Sequence, residues 1–192
     1  MNLCVFAGSS PGAHDDYRAA AEALGQALVR RGIGLVYGGA RVGLMGALAD
    51  SVLAHGGQVT GVIPDSLMIK EIAHDGLTAL HVVGSMHQRK ALMADLSAGF
   101  IAIPGGWGTL EELFEVLTWA QLGLHRKPCG LLNVRGFYDG LLAFIDHSIE
   151  QRFVRQDYRA LVLTSESPDV LLDLFATYVP PAVPKWIDRA DR

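Results

Sequence analysis

A glycine-rich turn followed by a run of carboxylates is the stretch of this sequence best suited to chemistry. The turn covers residues 104–109 and reads PGGWGT, and Glu111, Glu112 and Glu115 follow it. Backbone amides that a glycine turn exposes at the start of a helix can bind an anion such as phosphate. Glu112 and Glu115 are three residues apart, so a helix would place them on one face. The sequence therefore predicts an anion site with carboxylates next to it.

A purely structural interpretation of the same residues stays open. The run from Thr109 to Glu112 has the T-x-x-E spacing of a capping box, in which two side chains bond each other's backbone amides at a helix start. On that interpretation a helix begins at Thr109 and reaches Leu122, and Glu112 has no chemical task.

An arginine within an apolar helix stripe is the second chemical candidate. Met86, Arg89, Met93 and Leu96 recur at the three- and four-residue spacing of one helix face. A guanidinium buried there without a partner is costly, so we expect a carboxylate or a ligand phosphate to meet Arg89. The adjacent Lys90 belongs either to the same site or to the solvated surface.

Two further glycine turns follow predicted strands, at residues 8–12 and 38–43. Each is either a phosphate-binding loop or simply a turn that connects a strand to the next helix. The nucleotide fingerprints G-x-x-x-x-G-K-[ST] and G-x-G-x-x-G are both absent, which makes ATP hydrolysis and hydride transfer poor candidates. The candidate phosphate-loop residues are Gly8, Ser9, Gly38, Gly39 and Gly43.

The elements that must position these residues follow from an alternation of short apolar runs with longer amphipathic segments. This alternation predicts βαβ units, and hence an α/β protein with a parallel sheet and helices on both faces. Parallel strands would gather the three glycine turns at one edge of the sheet. Strands are predicted at residues 3–7, 34–37, 58–63, 79–83, 100–103, 130–133 and, more weakly, 161–163. Helices are predicted at residues 15–31, 44–55, 86–97, 109–122, 138–151 and 168–178, with Gly32 and Gly56 at C′ positions. A single domain would then span residues 1–178, followed by a proline-rich tail at 179–192.

Composition narrows the function classes. The 192 residues carry 16 Lys and Arg against 20 Asp and Glu, a net charge of −4, which favours neither nucleic acid nor an anionic membrane as a partner. The longest run without a charged residue, 96–110, is too short to span a bilayer. The N-terminus lacks the basic residues of a signal peptide, so we expect a cytoplasmic protein. Cys4 and Cys129 are interpreted as small buried side chains, and no histidine spacing suggests a metal site.

Two motifs point to a family. Residues 104–112, PGGWGTLEE, together with residues 86–90, MHQRK, resemble the LONELY GUY (LOG) family of cytokinin-activating phosphoribohydrolases, and the likeness covers residues 1–155. The resemblance implies a Rossmann-like, doubly wound fold and a homodimer. It also implies hydrolysis of the N-glycosidic bond of N6-substituted adenosine 5′-monophosphates, such as isopentenyladenosine monophosphate, with AMP as a weaker substrate. Neither a cofactor nor a metal is expected.

The resemblance further implies roles for individual residues. Arg89 and Glu112 would be the catalytic pair. The residues that would line the nucleotide site are Glu71, Lys90, Gly105, Gly106, Trp107, Gly108, Thr109, Leu110, Glu111, Glu115 and Thr118. One departure lies in the second turn, where the family's Y-G-G-G is replaced by YGGA, ending at Ala40. If the third glycine of that motif adopts a positive φ, Ala40 is strained.

Two other functions fit the same sequence. A nucleotide- or cofactor-binding carrier of this fold would keep the glycine turns but would need neither Arg89 nor Glu112 for turnover. A lysine decarboxylase, a label often attached to such sequences, would need a lysine that binds pyridoxal phosphate, and Lys90 beside Arg89 has no such context. The hydrolase is therefore the favoured prediction, with the carrier as its alternative.

Overall fold

The computed structural model describes residues 1–68 and 73–181, in which strands and helices alternate as the apolar runs predict. The strands are β1 (Asn2–Phe6), β2 (Gly34–Tyr37), β3 (Val59–Pro64), β4 (Ala79–Val83), β5 (Phe100–Ala102), β6 (Cys129–Leu132) and β7 (Val162–Ser165). The α-helices are α1 (Asp15–Arg30), α2 (Gly43–Ala54), α3 (Met86–Asp95), α4 (Trp107–Gln121), α5 (Asp139–Glu150) and α6 (Pro168–Ala176). Short 3-10 turns, which the periodicity does not predict, occupy Asp65–Leu67, Val134–Gly136 and Gln156–Leu161.

The strands form one parallel sheet in the order β4-β3-β2-β1-β5-β6-β7. The chain moves outward from β1 to β4 and then starts again beside β1 with β5, so the sheet is doubly wound and the predicted Rossmann-like fold is confirmed. The strand order reverses between β1 and β5, where Phe6 lies opposite Ala102. In open sheets of this kind ligands bind in the crevice at the carboxyl ends of the two strands that flank the reversal.

Helices cover both faces of the sheet, which explains why its central strands are almost continuously apolar. One cluster of buried side chains joins the sheet to α1, α2 and α6, through Leu28, Leu48 and Leu171 among others. The cluster on the opposite face joins it to α3 and α4, through Met93 and Leu113. The strand ends that carry the glycine turns are thus held from both sides.

The predicted element ends lie within two residues of the observed ones, but one of these small differences matters for function. Gly106, and not Thr109, is the N-cap of α4, and it has no side chain with which to cap the helix. Thr109 is therefore the third helical residue, and the capping-box interpretation is wrong. The C′ assignments are confirmed, because Gly32 and Gly56 have φ values of +65° and +78°.

Candidate active site

The glycine turns that follow β1 and β5 meet where the strand order reverses. The amide of Gly8 donates a hydrogen bond to the carbonyl of Pro104 at 3.1 Å. A Cβ atom on Gly8 would lie 3.2 Å from Cα of Gly105, so this close approach of two backbones favours glycine. The Gly8 carbonyl in turn accepts a hydrogen bond from the amide of Leu44 at 3.0 Å, in the first turn of α2. The first glycine turn therefore links the second and the third at one edge of the sheet.

A cleft of about 240 Å³ opens beside this junction. Charged side chains of α3 and α4 reach it together, although they are distant in sequence, and apolar side chains complete it. The lining residues are Ala7, Gly8, Ser9, Met45, Leu67, Met86, Arg89, Gly106, Trp107, Gly108, Thr109, Glu111 and Glu112. Arg89 and Glu112, the pair that the family resemblance implies, thus lie in the same cleft.

The start of α4 contributes four consecutive residues, 106–109, to this cleft. The amides of Trp107, Gly108 and Thr109 have no helical carbonyl to bond, because the first turn of an α-helix lacks acceptors one turn earlier. The N-cap residue Gly106 supplies no side-chain acceptor either. The helix dipole adds a partial positive charge at the same place, so the cleft contains a site suited to phosphate.

Arg89 is held rigidly at the edge of the cleft. It is 5% exposed, its Nε donates to the Val62 carbonyl at 3.1 Å, and its Nη2 donates to the Gly38 carbonyl at 2.9 Å. The sequence predicts that Arg89 has a carboxylate or phosphate partner. Backbone carbonyls are also partners of this guanidinium, and no pattern of side chains in the sequence reveals them. These bonds fix the plane of the guanidinium group.

Lys90 joins α3 to α4 and is not an ordinary solvated lysine. Its side chain is 10% exposed, and its Nζ lies 2.5 Å from Glu111 Oε1 and 3.0 Å from Glu115 Oε1. Burial favours the neutral amine, but the hydrogen bonds to both carboxylates prevail and raise the pKa of Lys90 above its ordinary value. Lys90 therefore stays charged and orients the two glutamates, and the surface interpretation is wrong.

The second glycine turn shapes the cleft without lining it. Gly38 offers its carbonyl to Arg89, and the first amides of α2, those of Leu44 and Met45, donate to the Gly8 carbonyl at 3.0 and 3.4 Å. These two amides of α2 are therefore already bonded to a protein carbonyl, and Gly38, Gly39 and Gly43, the other candidate phosphate-loop residues, are not among the residues that line the cleft.

Ala40 is not strained, in contrast to the conditional expectation. Among the described residues other than glycine, positive φ values occur at Arg135 and Arg152 alone. The left-handed conformation of the second turn falls on Gly39, with a φ of +79°, while Ala40 is fully buried and forms an antiparallel bridge with Ala73.

The other predicted site residues fall into three groups. Gly105 lies in a neighbouring cleft of about 280 Å³, which shares Gly8, Ser9 and Gly106 with the first. Glu71 lies outside the described residues. The residues that the structure does not place in the cleft wall are Lys90, Leu110, Glu115 and Thr118.

Several lining residues carry no signal in the sequence that marks them as residues of a cleft. Met45 and Met86 are apolar residues in helices, Leu67 belongs to a 3-10 turn, and Ala7 follows a strand. In the neighbouring cleft, Tyr17 and Phe137 face each other edge to face at 5.9 Å between ring centroids. Only the fold brings these side chains to the site, since a single apolar residue has the same appearance in a core and in a cleft.

The described residues contain no group of three or more His, Cys, Asp or Glu side chains that could hold a metal ion. Within the same residues, no helix has the length and apolar character needed to cross a bilayer. Cys4 and Cys129 are buried free thiols, and burial raises the pKa of both, that of Cys129 to about 12.

Fold and site together define a class: a doubly wound α/β protein with an anion-binding helix start, a carboxylate and a guanidinium group at the reversal of its strand order. A family model described as "possible lysine decarboxylase" matches residues 45–175. A cytokinin riboside 5′-monophosphate phosphoribohydrolase of Rhodococcoides fascians is 55% identical over 84% of this chain and 82% of its own. The corresponding enzyme LOG1 of Arabidopsis thaliana is 50% identical over 93% of this chain and 84% of its own. The chain belongs to the LOG family of phosphoribohydrolases.

Solved structures with the same fold include proteins of another function. The molybdenum cofactor binding protein of Rippkaea orientalis is 24% identical and superposes with a TM-score of 0.68 over 92% of this chain and 95% of its own. The molybdenum cofactor carrier protein of Chlamydomonas reinhardtii is 20% identical, with a TM-score of 0.67 over 90% of this chain and 94% of its own. At these identities the likeness shows the fold alone.

The description of the family model does not fit the chemistry of the site. A decarboxylase of this kind would need a lysine that reacts as a neutral amine. Lys90 lies between two carboxylates that keep it protonated. Its environment therefore opposes the decarboxylase hypothesis.

Proposed function

We propose that this protein hydrolyses the N-glycosidic bond of N6-substituted adenosine 5′-monophosphates, releasing the free base and ribose 5-phosphate. One observation carries the proposal: Glu112 and Arg89 line the same cleft as the uncapped start of α4. The two relatives described above, 50% and 55% identical, are named as phosphoribohydrolases of cytokinin riboside 5′-monophosphates.

The 5′-phosphate binds at the start of α4. The amides of Trp107, Gly108 and Thr109 donate to its oxygens, and the helix dipole stabilises its charge. Because the phosphate is remote from the bond that breaks, its binding energy serves to hold the sugar in a reactive orientation.

Glu112 acts on the sugar. It lies five residues beyond Trp107, so its Cα is about 7.5 Å farther along the helix axis, and helical side chains tilt back toward the N-terminus. Its carboxylate is therefore about a ribose length from the bound phosphate.

As the bond between C1′ and the base breaks, the bonding electrons leave with the base and the sugar becomes oxocarbenium-like. A carboxylate at this place stabilises that positive charge, and it can accept a proton from the water that attacks C1′. The base gains a proton and the sugar a hydroxyl group, which balances the hydrolysis.

Apolar lining residues suit the N6 substituent. Met45, Leu67 and Met86 share the cleft with the charged groups, and the indole of Trp107 stands at the surface with 90% exposure. Methionine side chains adapt to apolar ligands of irregular shape. An isopentenyl group would be buried here and AMP would lack that contact, so AMP is the weaker substrate.

Base release measured by chromatography tests the proposal. The wild-type protein is incubated with isopentenyladenosine monophosphate, with AMP and with the matching nucleosides. The proposal is supported if base is released from the monophosphates, fastest from the isopentenyl compound, and if none is released from the nucleosides. Tight binding without any release would overturn it in favour of a carrier.

We also propose that the chain forms a homodimer. Besides Trp107 at the cleft, three large apolar side chains on or just beyond α4 are solvent-exposed in the single chain, namely Phe114 at 41%, Leu122 at 57% and Leu124 at 70%. Exposed apolar groups clustered on one element are typical of a surface that another protein covers.

A further inference from the structure

A buried histidine lies behind the second glycine turn, outside the cleft. His74 is 5% exposed, and its backbone amide donates to the Gly39 carbonyl at 2.9 Å. Its Nδ1 lies 3.1 Å from the amide of Gly76, and its Nε2 lies 3.0 Å from Asp50 Oδ1. Since an amide can only donate, Nδ1 must accept, and the proton of the neutral ring resides on Nε2 and points to Asp50.

The opposite side of the same turn holds Arg89. The Gly38 carbonyl accepts from Nη2 of Arg89 at 2.9 Å, and the next carbonyl, that of Gly39, accepts from the backbone amide of His74. The positive φ of Gly39, +79°, reorients the chain between these two carbonyls. Two adjacent peptide groups are thus tied to Arg89 and to His74, respectively.

The turn has little freedom to move while both contacts persist. A Cβ on Gly39 would lie 3.3 Å from the side chains of Ile63 and Leu80, so the turn is packed closely against β3 and β4. Next to it, Ala40 bridges to Ala73, the residue that precedes His74. The imidazole ring anchors this bridge to α2 through Asp50.

We infer that His74, fixed by Asp50, is a positioning residue that keeps the Gly38 carbonyl in place and thereby orients the guanidinium of Arg89 in the cleft. This inference rests on the proposed function, because it takes Arg89 to be one of the catalytic pair that the family resemblance implies. Without the His74 ring, the bridge between Ala40 and Ala73 loses its side-chain bond to Asp50 of α2, and the Gly38 carbonyl that orients Arg89 is held less firmly. A displacement of about 1 Å in a catalytic group can reduce the rate by about 100-fold.

The test compares His74→Ala, Asp50→Ala and Asp50→Asn with wild type, using isopentenyladenosine monophosphate. We expect His74→Ala to lower kcat about tenfold with KM nearly unchanged, since the phosphate site at α4 is untouched. Asp50→Ala should lower kcat in the same way, and Asp50→Asn should restore it because the amide oxygen still accepts from Nε2. Asp75→Ala, which removes an exposed ion pair with Arg41 in the same segment, is the control with unchanged kcat.

A double-mutant cycle separates positioning from mere stabilisation. In an Arg89→Lys background the His74→Ala change should have almost no further effect on kcat, because the group that it positions is already lost. An undiminished tenfold loss in that background would overturn the inference, as would a lower melting temperature with wild-type kcat. If His74→Ala does not fold, Asp50→Ala is tested by the same measurements. The Asp50 side chain is 60% exposed, so its removal leaves no buried cavity. Absence of base release from wild type would overturn the proposed function and this inference together.

Discussion

At the scale of single residues, the site depends on groups whose geometry is fixed by backbone contacts. Arg89 uses two different nitrogens for two different carbonyls, those of Val62 and Gly38. A lysine at this position has one ammonium group on a flexible stem and cannot reproduce that fork.

We therefore predict that Arg89→Lys lowers kcat/KM about 100-fold even though the charge is conserved. Steady-state base release, with circular dichroism to check folding, measures this. A folded Arg89→Lys protein with wild-type activity would show that the charge alone is sufficient.

A second residue-scale prediction concerns specificity. Leu67 lines the cleft from a 3-10 turn and contributes only apolar contact. Leu67→Ala should lower kcat/KM for isopentenyladenosine monophosphate about tenfold, because apolar burial contributes about 0.8 kcal/mol per methylene group, while AMP hydrolysis changes little. The two substrates are compared on one enzyme preparation, and an equal loss for both would place the N6 substituent elsewhere.

At the scale of elements, the start of α4 is the helix start that the sequence pattern locates least well, although the difference is only two residues. Thr109 favours an N-cap and glycine disfavours a helix interior, so local preference places the start after Gly108. In the folded chain Gly106 caps the helix instead, because the turn is tied to Gly8 of another strand end. No local sequence pattern predicts that tertiary contact. With Gly106 as the N-cap, the amides of the first turn of α4 remain available to bind phosphate.

This packing yields a prediction for Gly105→Ala. A Cβ there would lie 2.6 Å from Cβ of Thr109 and 2.9 Å from the amide of Gly8, so the turn must shift. We expect KM for the nucleotide to rise about 10- to 100-fold, because the phosphate site is built from this turn. Gly140→Ala in α5, where a Cβ meets no atom within 4 Å, is the matched control with unchanged KM. If Gly105→Ala also leaves KM unchanged, the phosphate binds elsewhere.

At the scale of the whole molecule, the fold was predictable and the full lining of the cleft was not. Glycine turns and apolar runs indicate the parallel sheet, because each βαβ unit has its own local signal. The spatial proximity of Met45, Leu67 and Glu112 depends on the order of strands in the sheet, which no single segment encodes. Arg89 and Glu112 are conspicuous in the sequence as charges beside apolar or glycine-rich neighbours, but only the family resemblance implies that they form a pair.

The proposed homodimer supplies the prediction at this scale. Light scattering on the purified chain should give twice the mass of one chain, and Leu122→Glu should give a monomer because it introduces charge into the apolar surface. Phe153→Glu, at a position 88% exposed beyond α5, is the control that keeps the dimer. A wild-type monomer, or a dimer that survives Leu122→Glu, would contradict this surface assignment.

The most direct measurement compares wild type with Glu112→Gln for both nucleotide binding and base release. Glutamine has almost the same shape as glutamate but no negative charge to stabilise the sugar, and Glu166→Gln serves as an exposed control. The account predicts that Glu112→Gln binds isopentenyladenosine monophosphate in calorimetry nearly as well as wild type, yet releases base about 100- to 10,000-fold more slowly. Base release by Glu112→Gln at the wild-type rate, in a protein that binds the nucleotide normally, would contradict the central claim that this carboxylate cleaves the glycosidic bond.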